Sequence, residues 1–216
     1  MKKRLTELVF ILDRSGSMAG LESDTIGGFN SVLMKQKKEA GDANITTVLF
    51  DDQYEMLHDR YNLREVSNIT AKEYFVRGTT ALLDAVGKTI SKMIHVQRRA
   101  TEEERAEKVM FVIITDGLEN ASVEYSYNQI NKMIDHQKKN YEWEFIFLGA
   151  NIDAAEVADR FGIAKDRAAN YHADSKGTRL NYDVISDTVS QLREKGSVAS
   201  DWKEKIDQDY EKRKKR

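Results

Sequence analysis

The chain has 216 residues, enough for one full-sized domain with a good core and too few for two comfortable ones. Its 34 lysines and arginines against 36 acids leave a formal charge of -2, so the electrostatic footprint of a nucleic-acid binder is missing and a polyanion is not the expected partner. Cysteine is absent, which excludes disulfides and thiolate metal sites and leaves oxygen or histidine to hold any metal.

Met1-Lys2-Lys3-Arg4 looks like the charged start of a signal peptide, but the apolar run behind it ends at Asp13 with no small-residue cleavage site. No stretch of about twenty apolar residues is present to span a membrane, so the expected location is the cytoplasm. Leu8 to Leu12 are uninterrupted apolar residues, branched or aromatic, the pattern of a strand buried on both faces. They give way to Asp13-Arg14-Ser15-Gly16-Ser17, which sets a carboxylate and two hydroxyls at alternate positions beyond a strand end. Ile26, Phe29, Val32 and Leu33 then recur at helical spacing, followed by Lys35-Gln36-Lys37-Lys38 and by Gly41, which is placed to cap the helix. The lysines read as a solvated helix end favoured by the dipole rather than as a basic patch.

Ala43 to Phe50 alternates and is rich in β-branched residues, and Tyr54 to Leu63 continues as a more polar strand. The short Asp51-Asp52-Gln53 connection predicts a hairpin and therefore one antiparallel edge strand. Ser67 to Phe75 is expected to be a short helix or an irregular segment. Gly78-Thr79-Thr80 then opens a helix with Leu82, Leu83, Val86, Ile90, Met93 and Ile94 on one face, and the polar segment from Gln97 to Glu107 ends it. Val109 to Ile114 is a second doubly buried run, and it closes in Thr115-Asp116-Gly117.

Ser126 and Gln129 have capping-box spacing ahead of Ile130, Met133 and Ile134. Glu144 to Leu148 is a third strand, Asp153 to Phe161 a short helix stopped by Gly162, Arg167 to His172 a last short strand, and Thr178 to Glu194 a helix. Residues 1–196 are expected to form a single domain and residues 197–216 a charged tail or helix. Tyr141, Trp143, Phe145 and Phe147 read as one buried strand face, and His58, His95, His136 and His172 show no metal spacing.

Alternating buried strands and amphipathic helices predict an α/β fold of three layers: a doubly wound, Rossmann-like, mostly parallel sheet with helices on both faces. Ligands in such sheets bind outside the C-terminal strand ends. Asp13 and Asp116 lie at two of those ends, and the loop from Gly78 to Thr80 enters a helix, so the three segments can converge. Hydroxyls and carboxylates together select a hard divalent cation, Mg²⁺ first, with Mn²⁺ or Ca²⁺ as alternatives.

Asp13-x-Ser15-x-Ser17, Gly78-x-Thr80-Ala81-Leu82 and Thr115-Asp116-Gly117 resemble, in order and spacing, the metal-ion-dependent adhesion site of von Willebrand factor type A domains. The resemblance covers roughly residues 5 to 175. It implies that fold, with Ser15, Ser17 and Thr80 as hydroxyl ligands and Asp13 and Asp116 as carboxylates binding directly or through water. Thr79 stands where the family form carries a second glycine. The stretch Phe147-Leu148-Gly149-Ala150-Asn151-x-Asp153-Ala154 and the C-terminal helix resemble bacterial stand-alone A-domain proteins, including the YegL-like and tellurite-resistance-associated TerY-like groups. Partners of those groups belong to stress or assembly systems.

What the resemblance implies is a binding module rather than an enzyme, in which a carboxylate from a partner protein completes the metal shell. The alternative is a Mg²⁺-dependent phosphoryl-transfer or hydrolytic enzyme using the same strand-end site. It lacks a recognisable base or nucleophile: Gly16 to Gly20 do not meet Gly-x-Ser-x-Gly, no Walker sequence is present, and Asp13-Arg14-Ser15 has no second aspartate. A scaffold with a degenerate site is a third possibility, distinguished by partner capture that survives chelation.

Overall fold

A computed structural model describes residues 5–214, so the basic start of the chain, Met1 to Arg4, lies outside the described residues. Its strands are β1 (Leu5–Asp13), β2 (Asp42–Phe50), β3 (Tyr54–Asn62), β4 (Lys108–Thr115), β5 (Glu144–Ala150) and β6 (Ala168–Tyr171). Its α-helices are α1 (Glu22–Gln36), α2 (Leu82–Arg99), α3 (Tyr127–Tyr141), α4 (Ala154–Arg160), α5 (Ser175–Lys195) and α6 (Glu204–Lys214).

The strands form one sheet in the order β3-β2-β1-β4-β5-β6. Every neighbouring pair is parallel except β2 with β3, the hairpin edge. Side chains of consecutive strand residues point to opposite faces, so the apolar runs feed two cores at once. Leu8, Phe10 and Leu12 join Met110, Val112 and Ile114 on the face covered by α1, α5 and α6. Val9 and Ile11 join Phe111 and Ile113 on the face covered by α2, α3 and α4. Each of these side chains is almost fully buried, worth about 1.5–3 kcal/mol apiece in apolar transfer. The three-layer α/β architecture with one antiparallel edge strand is the one expected.

Several local readings change. The first helix ends at Gln36 with Lys37 as its cap residue, while Gly41 (φ +86°) forms the turn into β2 instead of the C-cap. The segment from Ser67 to Phe75 is irregular, with a turn at 71–73 and no helix. Tyr141 is not on the strand face: it ends α3 and is 57% exposed. Trp143, Phe145 and Phe147 do share one face, with Trp143 and Phe145 stacked on Phe111 at ring distances of 5.6 and 4.9 Å. The Ser126–Gln129 capping box forms as the spacing predicts. At the charged end of the chain, α6 is not solvated all round. Trp202 and Ile206 enter the core, and the Trp202 indole and the Lys203 ammonium donate to backbone carbonyls of Asp166 and Ala168 beside the β6 edge.

The direction of winding places the site. From β1 the chain steps outward to β2 and β3, then crosses by α2 to β4 on the other side of β1. Two neighbouring strands whose connections leave in opposite directions open a crevice at their carboxyl ends. Here those ends carry Asp13 and Thr115-Asp116.

Candidate metal site

Asp13 is the last residue of β1 and is 1% exposed. Its Oδ1 accepts the Ser15 N–H at 2.7 Å and its Oδ2 accepts the Thr115 hydroxyl at 2.6 Å. The backbone carbonyl of Asp13 accepts the buried Tyr74 hydroxyl at 2.5 Å. Beyond it the chain turns through a 3-10 segment at Gly16–Met18, which brings Ser15 Oγ and Ser17 Oγ to 3.0 Å from each other. Ser17 Oγ donates to Asp116 Oδ1 across the crevice. Asp116 Oδ2 is buried and has no hydrogen-bond partner among the described residues.

The threonine loop is held in place from both sides. Gly16 N–H donates to Gly78 O at 3.2 Å and Arg77 N–H to Arg14 O at 2.9 Å. Gly78 has φ +65°, and a Cβ there would overlap the Asp52 carboxylate, so glycine is required. Thr80 N–H donates to Asn120 Oδ1 at 2.9 Å, and Asn120 N–H returns a bond to Thr80 O at 3.0 Å. A methyl group built on Gly117 would lie 3.2 Å from Ser17 Oγ and 3.6 Å from Thr80 Oγ1. The two hydroxyls therefore face one space above Gly117. Thr80 is buried and Thr79 is exposed, so Thr80 is the threonine that faces inward.

The structure thus brings together all five of Asp13, Ser15, Ser17, Thr80 and Asp116. The supporting shell was not legible in the sequence. Asp84 on the first turn of α2 accepts the N–H groups of Val123, Glu124 and Tyr125. Glu119 accepts from Leu83 N–H and from Ala121 and Ser122 N–H. These carboxylates tie the loop after β4 to the helix after the threonine loop. Asp84 lies two residues beyond the Gly78-x-Thr80-Ala81-Leu82 motif and is favoured near a helix N-terminus; Tyr74 and Glu119 carry no signal in the sequence.

Electrostatics set the chemistry of the cup. Burial pushes the Asp116 carboxyl up to about 6, with the Ser17 hydrogen bond opposing the shift and the Asp13 charge adding to it. Burial also raises the Asp13 carboxyl, against hydrogen bonds from Ser15 and Thr115. Neither carboxylate has an ion-pair partner among the described residues. The nearby guanidiniums are committed elsewhere: Arg14 Nε lies 3.0 Å and Arg77 Nε 2.6 Å from Asp51 Oδ2, and Arg14 Nη2 lies 2.7 Å from Glu55. Two buried carboxylates without a cation, three hydroxyls and one orphaned oxygen match the donor set of a hard divalent ion. Among the described residues no three His, Cys, Asp or Glu side chains gather as a metal site, here or elsewhere, so a cation in this cup would depend on the hydroxyls as well as on its two carboxylates.

No family model and no curated protein matches the chain. Solved structures do. A von Willebrand factor type A protein from Catenulispora acidiphila superposes with a TM-score of 0.59 at 13% identity, over 86% of this chain and 42% of that one. The manganese-loaded TRAP protein of Plasmodium vivax gives 0.57 at 16% identity, over 83% and 73%. A mutant of the PilB minor pilin from Streptococcus sanguinis gives 0.54 at 13%, over 87% and 62%. The fold is that of von Willebrand factor type A domains. The chain spans less than two thirds of the pilin and less than half of the Catenulispora protein. Among the described residues no helix is long and apolar enough to cross a membrane.

Proposed function

We propose that this chain is a metal-dependent protein-binding module whose cation is held by Ser15, Ser17, Thr80 and Asp116, with Asp13 acting through water. Both Asp13 oxygens already accept hydrogen bonds from the chain, which favours the indirect role. Mg²⁺ suits this oxygen set, with Mn²⁺ or Ca²⁺ as alternatives. The observation that carries the reading is Asp116 Oδ2, buried and unpartnered beside a second carboxylate that also lacks a cation. A manganese-loaded structure of the same fold supports a divalent ion in this setting.

When bound, the ion supplies an electrophilic anchor for an Asp or Glu of a partner protein. Two site carboxylates balance its charge without adding a net negative one, so an incoming carboxylate can take a free coordination position without net repulsion. By the same resemblance, the module would work in the cytoplasm, in a bacterial stress or assembly system.

The test is selection of displayed peptides on the Mg²⁺-loaded chain. Recovered sequences are expected to share an Asp or Glu whose change to Asn or Gln weakens binding by about 100-fold, as EDTA or Ser17→Ala does. Peptides that bind equally in EDTA would identify a scaffold with a degenerate site.

A further inference from the structure

Six large apolar side chains are exposed among the described residues, and three of them, Phe75, Leu118 and Val123, sit on loops at the carboxyl edge of the sheet, where the metal cup lies. None of the three joins either core. Leu118, 60% exposed, directly follows Gly117, the residue under the Ser17 and Thr80 hydroxyls. Val123 lies farther along the same loop. Phe75, 43% exposed, stands on the other flank, against guanidiniums that reach Asp51 beyond the end of β2. Since β2 and β4 border β1 on opposite sides, the cup has an apolar wall on each flank.

Both walls are fixed by polar bonds that do not involve the apolar side chains. The loop after β4 is held through its backbone, with Glu119 accepting the Leu83, Ala121 and Ser122 N–H groups and Asp84 accepting those of Val123, Glu124 and Tyr125. Phe75 is clamped: the Arg14 and Arg77 guanidiniums each lie 5.4 Å from its ring centre, and both are anchored on Asp51 Oδ2. Little ordering entropy therefore opposes contact with these walls. Apolar side chains gathered at a polar centre mark a surface for protein partners.

Charge narrows the occupant further. Between the walls, the exposed residues Gly16, Ser17, Ala19, Gly20 and Thr79 are small and uncharged. Asp52 is exposed beside Gly78, and the guanidiniums nearest the cup are already paired with Asp51. A second acid in the partner finds like charge there instead of a free cation.

We propose that the partner segment taken by this cup carries a single carboxylate flanked by apolar residues, seated on Leu118 on one side and on Phe75 on the other, and is not an acidic run. This occupant presupposes the metal-dependent reading of the cup and specifies the residues beside the acid.

The probe is a displayed library of short random segments with a fixed central Glu, selected on the Mg²⁺-loaded full chain. EDTA-sensitive binders are expected to carry Leu, Ile, Met or Phe close to the Glu. Leu118→Ser and Phe75→Ser should each weaken a recovered peptide by at least about tenfold, while the Mg²⁺ affinity of the chain without peptide stays unchanged. Tyr141→Ser, which removes a 57% exposed ring at the end of α3, should leave peptide affinity as it is. EDTA-sensitive peptides with no apolar preference beside the Glu would overturn the apolar walls and leave the metal reading standing. So would wild-type peptide affinity in both Leu118→Ser and Phe75→Ser, or a loss of Mg²⁺ affinity in both that equals the loss for peptide. A selection that yields only peptides bound equally in EDTA, or none, would overturn the metal reading and this occupant with it.

Discussion

Asp116→Asn is expected to stabilise the metal-free protein at neutral pH and to abolish its thermal response to Mg²⁺. The sign follows from the raised carboxyl. In the folded state Asp116 holds its proton up to about 6, whereas in the unfolded chain it is lost near the ordinary value of about 3.9. Between those values the folded state binds more protons, so stability of the metal-free wild type falls as pH rises through the window and stays reduced above it. Asparagine removes the charge and that loss with it. In the wild type, Mg²⁺ at about a hundred times its Kd adds about 2.7 kcal/mol, or roughly 5–10 °C in Tm for a chain of this size. The variant should start higher and not move. Equal Mg²⁺-induced shifts in both proteins, read by differential scanning calorimetry, would show that Asp116 is not a ligand.

Asp51→Ala is expected to cost about 3–5 kcal/mol of folding stability, since it strips the main partner from a fully buried guanidinium. Arg14 and Asp51 are both 0% exposed, and Asp51 Oδ2 also receives Arg77. Glu55 remains near Arg14 but its side chain is 46% exposed, too far in water to replace a buried partner. The effect reaches the cup, because Asp51 O accepts Ala81 N–H at 2.8 Å, and Arg14 O accepts Arg77 N–H. Loosening this pair loosens the loop that presents Thr80. A urea midpoint that falls with unchanged slope would register the loss; a change below about 1 kcal/mol would mean that Arg14 is satisfied without Asp51.

The fold was legible where one physical constraint governed a whole element. Residues buried on both faces leave no room for polar side chains, so β1, β4 and β5 stood out as unbroken apolar runs ending in a carboxylate, a threonine or a glycine. The convergence of Asp13, Ser15, Ser17, Thr80 and Asp116 was also readable, since strand ends and a helix entrance at a switch point must meet at one edge. What escaped was set by long-range partners. Tyr74 sits in an irregular segment whose sequence has no period, yet its hydroxyl supports the Asp13 carbonyl from 61 residues away. Gly41 had the composition of a helix cap, but α1 ended earlier and the positive φ was needed in the turn to β2. The charged end of the chain hid a docking helix because Trp202 and Ile206 are too few to make an apolar stripe on their own.

The most direct measurement is calorimetric titration of MgCl₂ into chelator-treated protein, wild type beside Asp13→Ala. One saturable site per chain is expected in the wild type, weakened by about 100-fold in the variant, at the upper end of what loss of an outer-shell carboxylate costs. Heats that are the same in both proteins, or a wild type that takes up no Mg²⁺, would contradict it.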